Sequence, residues 1–96
     1  MKNNKKNLAK EWFKKADNDL LNVKNNLKFK RIPTDTLCFH SQQAVEKYLK
    51  GYLILQDIEF KFVHNLRYLN DLAVKVDKEF EKLYEITDKL NKYSVE

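Results

Sequence analysis

The sequence predicts an all-α fold, an up-and-down bundle of four main helices. Three observations carry that reading. Apolar residues recur at three- and four-residue steps in four separate segments. The 96 residues hold one Gly and one Pro, so little interrupts those segments. Strand-like alternation occurs only at Ile58, Phe60 and Phe62, and no second segment offers it a partner.

The first helix is predicted from about Leu8 to Lys28. Leu8, Trp12, Ala16, Leu20, Val23 and Leu27 form one apolar face, which Phe13 broadens. Asp19 falls on the rim of that face, between Leu8 and Trp12 on a helical wheel. A carboxylate there requires a donor. The Lys- and Asn-rich residues 1–7 read as a disordered basic tail, and residues 8–96 as a single helical domain. Lys30-Arg31-Ile32-Pro33 is a connector, because Pro33 lacks a donor and restricts the residue before it. Thr34 or Asp35 then caps the second helix.

The second helix is predicted from about Asp35 to Leu55. Its apolar face, from Leu37 and Cys38 through Ala44, Val45 and Leu49 to Leu53, is broad enough to meet several neighbours. Gly51 weakens the helix but permits close approach. Residues 56–63 read as an apolar-anchored loop. A third helix follows from about Asn65 to Val74, with Leu66, Leu69, Leu72 and Ala73 inward. The fourth is predicted from about Lys78 to Lys92, capped by Asp77, with Phe80, Leu83, Ile86, Leu90 and Tyr93 inward. Short connections between amphipathic helices give an antiparallel bundle.

The formal charge is +5, with 19 basic and 14 acidic side chains. Much of the excess lies in the first fifteen residues. A basic end attracts a nucleic-acid backbone or an acidic partner. Yet Arg31 and Arg67 are the only arginines, and the scarcity of that bidentate phosphate ligand weighs against a dedicated nucleic-acid reader. Cys38 is alone, which excludes an intrachain disulfide, and it reads as a small buried hydrophobe. No apolar run reaches the ~18 residues of a membrane span, and the N-terminus lacks a signal-peptide pattern. A cytoplasmic protein is expected. No metal motif, phosphate-cradling Gly loop or nucleophile elbow occurs, so neither a metal nor a cofactor is expected.

The polar side of the second helix supplies the candidate binding surface: His40, Gln43, Lys47 and Lys50. The competing reading is a solvated face on which Glu46 pairs with Lys50. Asp19 is expected to reach His40, Gln43 or Lys47 where the first two helices meet. His64 and Arg67 form the remaining pair of interest. An acid–base His with a phosphate-steadying Arg is a minimal ribonuclease. The alternative is local hydrogen bonding by His64 and an acidic partner for Arg67. Phe39 and Ile54, with Phe60 and Phe62, exceed what one small core hides, and point to a homodimer.

The run Cys38-Phe39-His40-Ser41-Gln42-Gln43-Ala44-Val45-Glu46-Lys47-Tyr48-Leu49-Lys50 resembles the signature helix of the HEPN family. Trp12, Ala16, Asp19 and Leu20 are similar to the family's first-helix pattern. His64-Asn65-Leu66 resembles its His-Asp-Leu, and Leu90-Asn91-Lys92-Tyr93 its fourth-helix ending. The resemblance implies a helical bundle, usually dimeric. It also implies a minimal nucleotidyltransferase as partner, in some cases in toxin–antitoxin-like pairs, and a nucleotide or RNA as ligand. Catalytic branches are ribonucleases carrying Arg, four to six residues, then His. Here eight residues separate Arg31 from His40, and no His follows Arg67. The expectation is therefore a non-catalytic accessory or binding module. A degenerate ribonuclease and a structural homodimeric interaction domain are the alternatives.

Overall fold

The computed structural model describes residues 2–27 and 34–93, and no strand occurs among them. Four α-helices and one 3₁₀ segment form a helical bundle: α1 (Lys2–Leu27), α2 (Thr34–Leu55), α3 (Leu66–Val76), a 3₁₀ helix (Lys78–Leu83) and α4 (Tyr84–Asn91). No helix is long and apolar enough to cross a membrane. The Lys30–Pro33 connector, with Arg31, lies outside the described residues, as do the side chains of Thr34 and Asp35.

The first helix begins at Lys2 rather than Leu8, so residues 2–7, expected as a disordered tail, continue α1. Two contacts hold the extension. Ala9 is buried, and Lys5 bonds Asp57 just beyond α2. Ala9, Ala16, Ala44 and Gly51 are all buried, and such small residues let the two helix backbones approach. Lys5 with Asp57, Asp17 with Tyr48, and Asp19 with Lys47 set an antiparallel register.

α2 ends in a left-handed residue, Asp57, at φ 60°. Asp tolerates that region better than most side chains. The turn returns the Ile58 amide to the Leu53 carbonyl at 2.9 Å. Residues 58–65 then run as a loop, as expected from an alternating segment without a partner strand. Ile58 and Phe60 pack on the core, while Phe62 is 85% exposed. The core centres on Leu49, Leu53, Leu66, Leu69 and Ala73.

Asn65 caps α3: its side chain accepts from the Tyr68 amide at 3.2 Å. Asn91 at the end of α4 closes the same corner. Its Oδ1 accepts from the Leu66 amide at 2.8 Å, and its Nδ2 donates to Asn65 Oδ1 at 3.1 Å. Asp77 caps as expected, accepting from the Glu79 amide at 2.9 Å.

The expected fourth helix, Lys78–Lys92, is divided. Fully buried Asn70 donates to the Phe80 carbonyl at 3.0 Å, taking the acceptor an α-helix would use. The Tyr84 amide turns instead to the Glu81 carbonyl, and the segment is 3₁₀ up to Leu83. The change of winding also moves the inward face of α4. Ile86, expected inside, is 51% exposed, and Thr87 is fully buried. The Thr87 hydroxyl is satisfied by donating to the Tyr84 carbonyl at 3.2 Å.

Candidate functional site

One side of α2 is polar and covered rather than polar and solvated. Gln42, Glu46 and Lys50 stand one turn apart, so their side chains form a single row. All three are buried: 0%, 3% and 1% exposed respectively. The Glu46 carboxylate is the hub. Its Oε1 accepts from Gln42 Nε2 and its Oε2 from Lys50 Nζ, each at 3.0 Å. His64, entering from the loop before α3, places Nδ1 2.9 and 3.1 Å from the two oxygens. Gln43 extends the chain by donating to Gln42 Oε1 at 2.8 Å.

Burial alone would raise the Glu46 pKa. Hydrogen bonds from His64, Lys50 and Gln42, with the Lys50 charge, outweigh burial and hold the carboxyl below its ordinary range. The Lys50 ammonium also lies over two rings, 5.5 Å from the Trp12 centroid and 5.1 Å from that of Phe62. These contacts correct two expectations. Lys50 is not part of an exposed binding surface. The Glu46–Lys50 pair is not a solvated helix pair, because Trp12, Phe62 and His64 close over it.

A second polar cluster lies on the α1–α2 seam. Asp19 accepts from Lys47 Nζ at 2.5 Å, and His40 Nδ1 lies 3.8 Å from the other carboxylate oxygen. The expected reach of Asp19 to α2 is thus present, with Lys47 as the direct partner. The Asp19 side chain is only 14% exposed, whereas those of His40 and Lys47 are 27% and 22% exposed. His40 Nδ1 has no hydrogen-bond partner among the described residues. His40, Gln43 and Lys47 therefore remain half-buried on one stripe, with Lys47 fixed by the carboxylate below it.

His64 and Arg67 pair with different acids. His64 is committed to Glu46, not to local hydrogen bonding alone. Arg67 Nη1 pairs with Asp88 at 2.8 Å, its Nε lies 3.5 Å from Asp71, and its guanidinium stacks on Tyr84 at 4.4 Å. The acidic-partner reading of Arg67 holds. Among the described residues, no group of three His, Cys, Asp or Glu side chains is placed to hold a metal ion.

On the opposite side of α2, an apolar groove of about 390 Å³ runs between Phe13, Tyr48, Tyr52, Phe80 and Ile86. A neighbouring cavity of about 540 Å³ is lined by Cys38, Ser41, Ile86, Leu90 and Tyr93. The apolar surplus assigned from sequence to Phe39 and Ile54 sits elsewhere. Those two are half-buried, Phe39 packing edge-on against His40 at 5.5 Å, while Ile86 is open.

Sequence reasoning missed Gln42 and Glu46 as the centre of the polar row. One signal was available. Gln42 lies seven and eleven residues before Leu49 and Leu53, on the face that builds the core.

The model of the HEPN domain matches residues 9–96. No curated protein and no solved structure gives a match. The match takes in α1 from Ala9 onward, the whole of α2, α3 and α4, and both polar clusters of α2: the chain belongs to the HEPN domain family.

Proposed function

We propose that this protein is a non-catalytic binding module that partners a minimal nucleotidyltransferase, in a pair of the toxin–antitoxin kind, with a nucleotide as candidate ligand. The observation that carries the reading is the half-buried stripe His40, Gln43 and Lys47. Asp19 orients its cation, and Gln42 orients its amide. Such pre-organisation lowers the entropy lost when a polar partner docks. The ribonuclease reading has less support, because His64 and Arg67 are engaged by separate acids.

The test is whether a nucleotidyltransferase gene lies beside this one and whether its purified product binds the protein. The double variant His40→Ala, Lys47→Glu is expected to weaken binding at least about tenfold, the scale of one lost charged contact. Unchanged affinity rejects the stripe as the docking surface.

The same module is proposed to self-associate along the α2–α4 groove, where Ile86 and the neighbouring aromatics need cover. Sedimentation at micromolar concentration should give twice 11.6 kDa. Ile86→Glu should return the monomer. A wild-type monomer at high concentration rejects the dimer.

A further inference from the structure

His40 is the unsatisfied member of the stripe. Its Nδ1 is buried, lies 3.8 Å from one Asp19 oxygen, and has no hydrogen-bond partner among the described residues. The other Asp19 oxygen holds Lys47 Nζ at 2.5 Å. One carboxylate thus stands between an ammonium and an imidazole nitrogen on the α1–α2 seam. A neutral imidazole bears a hydrogen on one ring nitrogen and a lone pair on the other. With the hydrogen on Nε2, Nδ1 turns a lone pair toward a carboxylate that can only accept. That arrangement accounts for a gap of 3.8 Å, where a charge-assisted bond would close to about 2.8 Å.

The neighbouring charges are engaged elsewhere. On α1, Lys15 is one turn from Asp19, and its ammonium lies over the Trp12 ring at 5.3 Å. On α2, Phe39 meets the His40 ring edge-on and Gln43 is neutral, while Glu46 is taken by Lys50 and His64. Arg67 and Asp71 of α3 face each other. Asp88, Lys89 and Lys92 of α4 line the cavity of Cys38 and Ser41, on another face of α2. Among the described residues, Asp19 is the acid within reach of His40.

We propose that Asp19, His40 and Lys47 form a proton-operated switch of the docking stripe. A proton taken from solvent bonds to the Nδ1 lone pair, and no other bond is broken. The imidazolium then donates to Asp19, which divides its charge between two cations and loosens its hold on Lys47. The cluster gains one positive charge, and the Lys47 ammonium becomes free to meet an acid from outside. Imidazole is the side chain whose ordinary titration falls between pH 5 and 8, so the switch works at mild pH. The regulatory consequence rests on the reading that this stripe is the docking surface: a partner presenting acids to it binds more tightly as pH falls. The half-buried setting matters, because solvent and salt screen such a charge less than one on an open surface.

The experiment is an NMR titration of the full chain from pH 8 to 5.5, following the His40 ring, the Lys47 Cε and the Asp19 carboxyl carbon. All three signals should move with one shared midpoint. His40→Gln should leave the Lys47 and Asp19 signals flat over that range. Lys47→Gln should move the His40 titration to higher pH, because the imidazolium then has the carboxylate to itself. Separate midpoints, or Lys47 and Asp19 signals that still move in His40→Gln, overturn the switch. A second arm measures affinity for the nucleotidyltransferase at pH 8 and 5.5. A gain of about two- to fivefold is expected at the lower pH, the scale of one partly exposed charge pair, and His40→Gln should remove it. A shared midpoint with pH-independent binding overturns the regulation and leaves the docking surface standing. Absent binding, or binding unaffected by His40→Ala with Lys47→Glu, rejects the docking surface and the regulation with it.

Discussion

Glu46→Ala is expected to destabilise the protein by about 3–5 kcal/mol, the range for removing one partner of a buried ion pair. Lys50, 1% exposed, would keep its two aromatic neighbours but lose the carboxylate that pairs with its ammonium. Gln42 and His64 would lose an acceptor in the same step. A single domain is commonly stable by about 5–15 kcal/mol, so this is a large fraction of the total. Adding Lys50→Met should recover much of the loss, since the stranded charge is then gone. Urea unfolding at pH 7 measures both variants. A loss below about 1 kcal/mol for Glu46→Ala would contradict the burial described for this pair.

The same carboxylate gives the stability a pH dependence of defined sign. The folded state holds the Glu46 pKa below the ordinary value of 4.5. A depressed acid contributes stability that is fully present above the unfolded pKa. That contribution is lost as pH falls through the folded value. The unfolding free energy of the wild type should therefore decline as pH falls from 4.5, and Glu46→Gln should flatten that part of the curve.

How far these features were legible varies with the origin of the force that sets them. The extents of α2 and α3 follow from local periodicity, and the sequence places both within a few residues. Asp19 was legible because an acid on the rim of an apolar face must find a donor, and α2 offered few. Lys50 was not. Its burial depends on Trp12 from α1 and on Phe62 and His64 from the loop, and the helical wheel of α2 contains none of them. The division of the fourth helix was hidden for a similar reason. It turns on one hydrogen bond from Asn70, ten residues away, to the Phe80 carbonyl. The start of α1 at Lys2 rests on the long-range contact with Asp57, which propensity cannot register.

Gly51→Leu is expected to cost about 3 kcal/mol or more, and Gly51→Ala about 1–2 kcal/mol. A Cβ on Gly51 would stand 2.5 Å from Phe13 Cε1 and 2.8 Å from Cδ1. Those distances are far inside van der Waals contact, so a ring or a helix must move. The Phe13 ring packs tilted against Tyr48 at 6.2 Å and borders the apolar groove, which gives it some room to yield. That room is why alanine is expected to cost less than leucine. Helix propensity opposes the clash, because Ala is favoured over Gly by about 1 kcal/mol inside a helix. The two terms can be separated. In a Phe13→Leu background the clash is relieved while the propensity gain remains, so Gly51→Ala should become neutral or stabilising. A coupling of about 1–3 kcal/mol between the two positions is the expected double-mutant result. Additive effects would show that Phe13 does not set the approach of α1 to α2. The consequence extends to the stripe. Asp19 lies on the same face of α1 as Trp12 and Ala16, and its hold on Lys47 requires the close spacing that Gly51 permits. Gly51→Leu should therefore lower affinity for a partner that docks on His40 and Lys47, even under conditions where the variant remains fully folded.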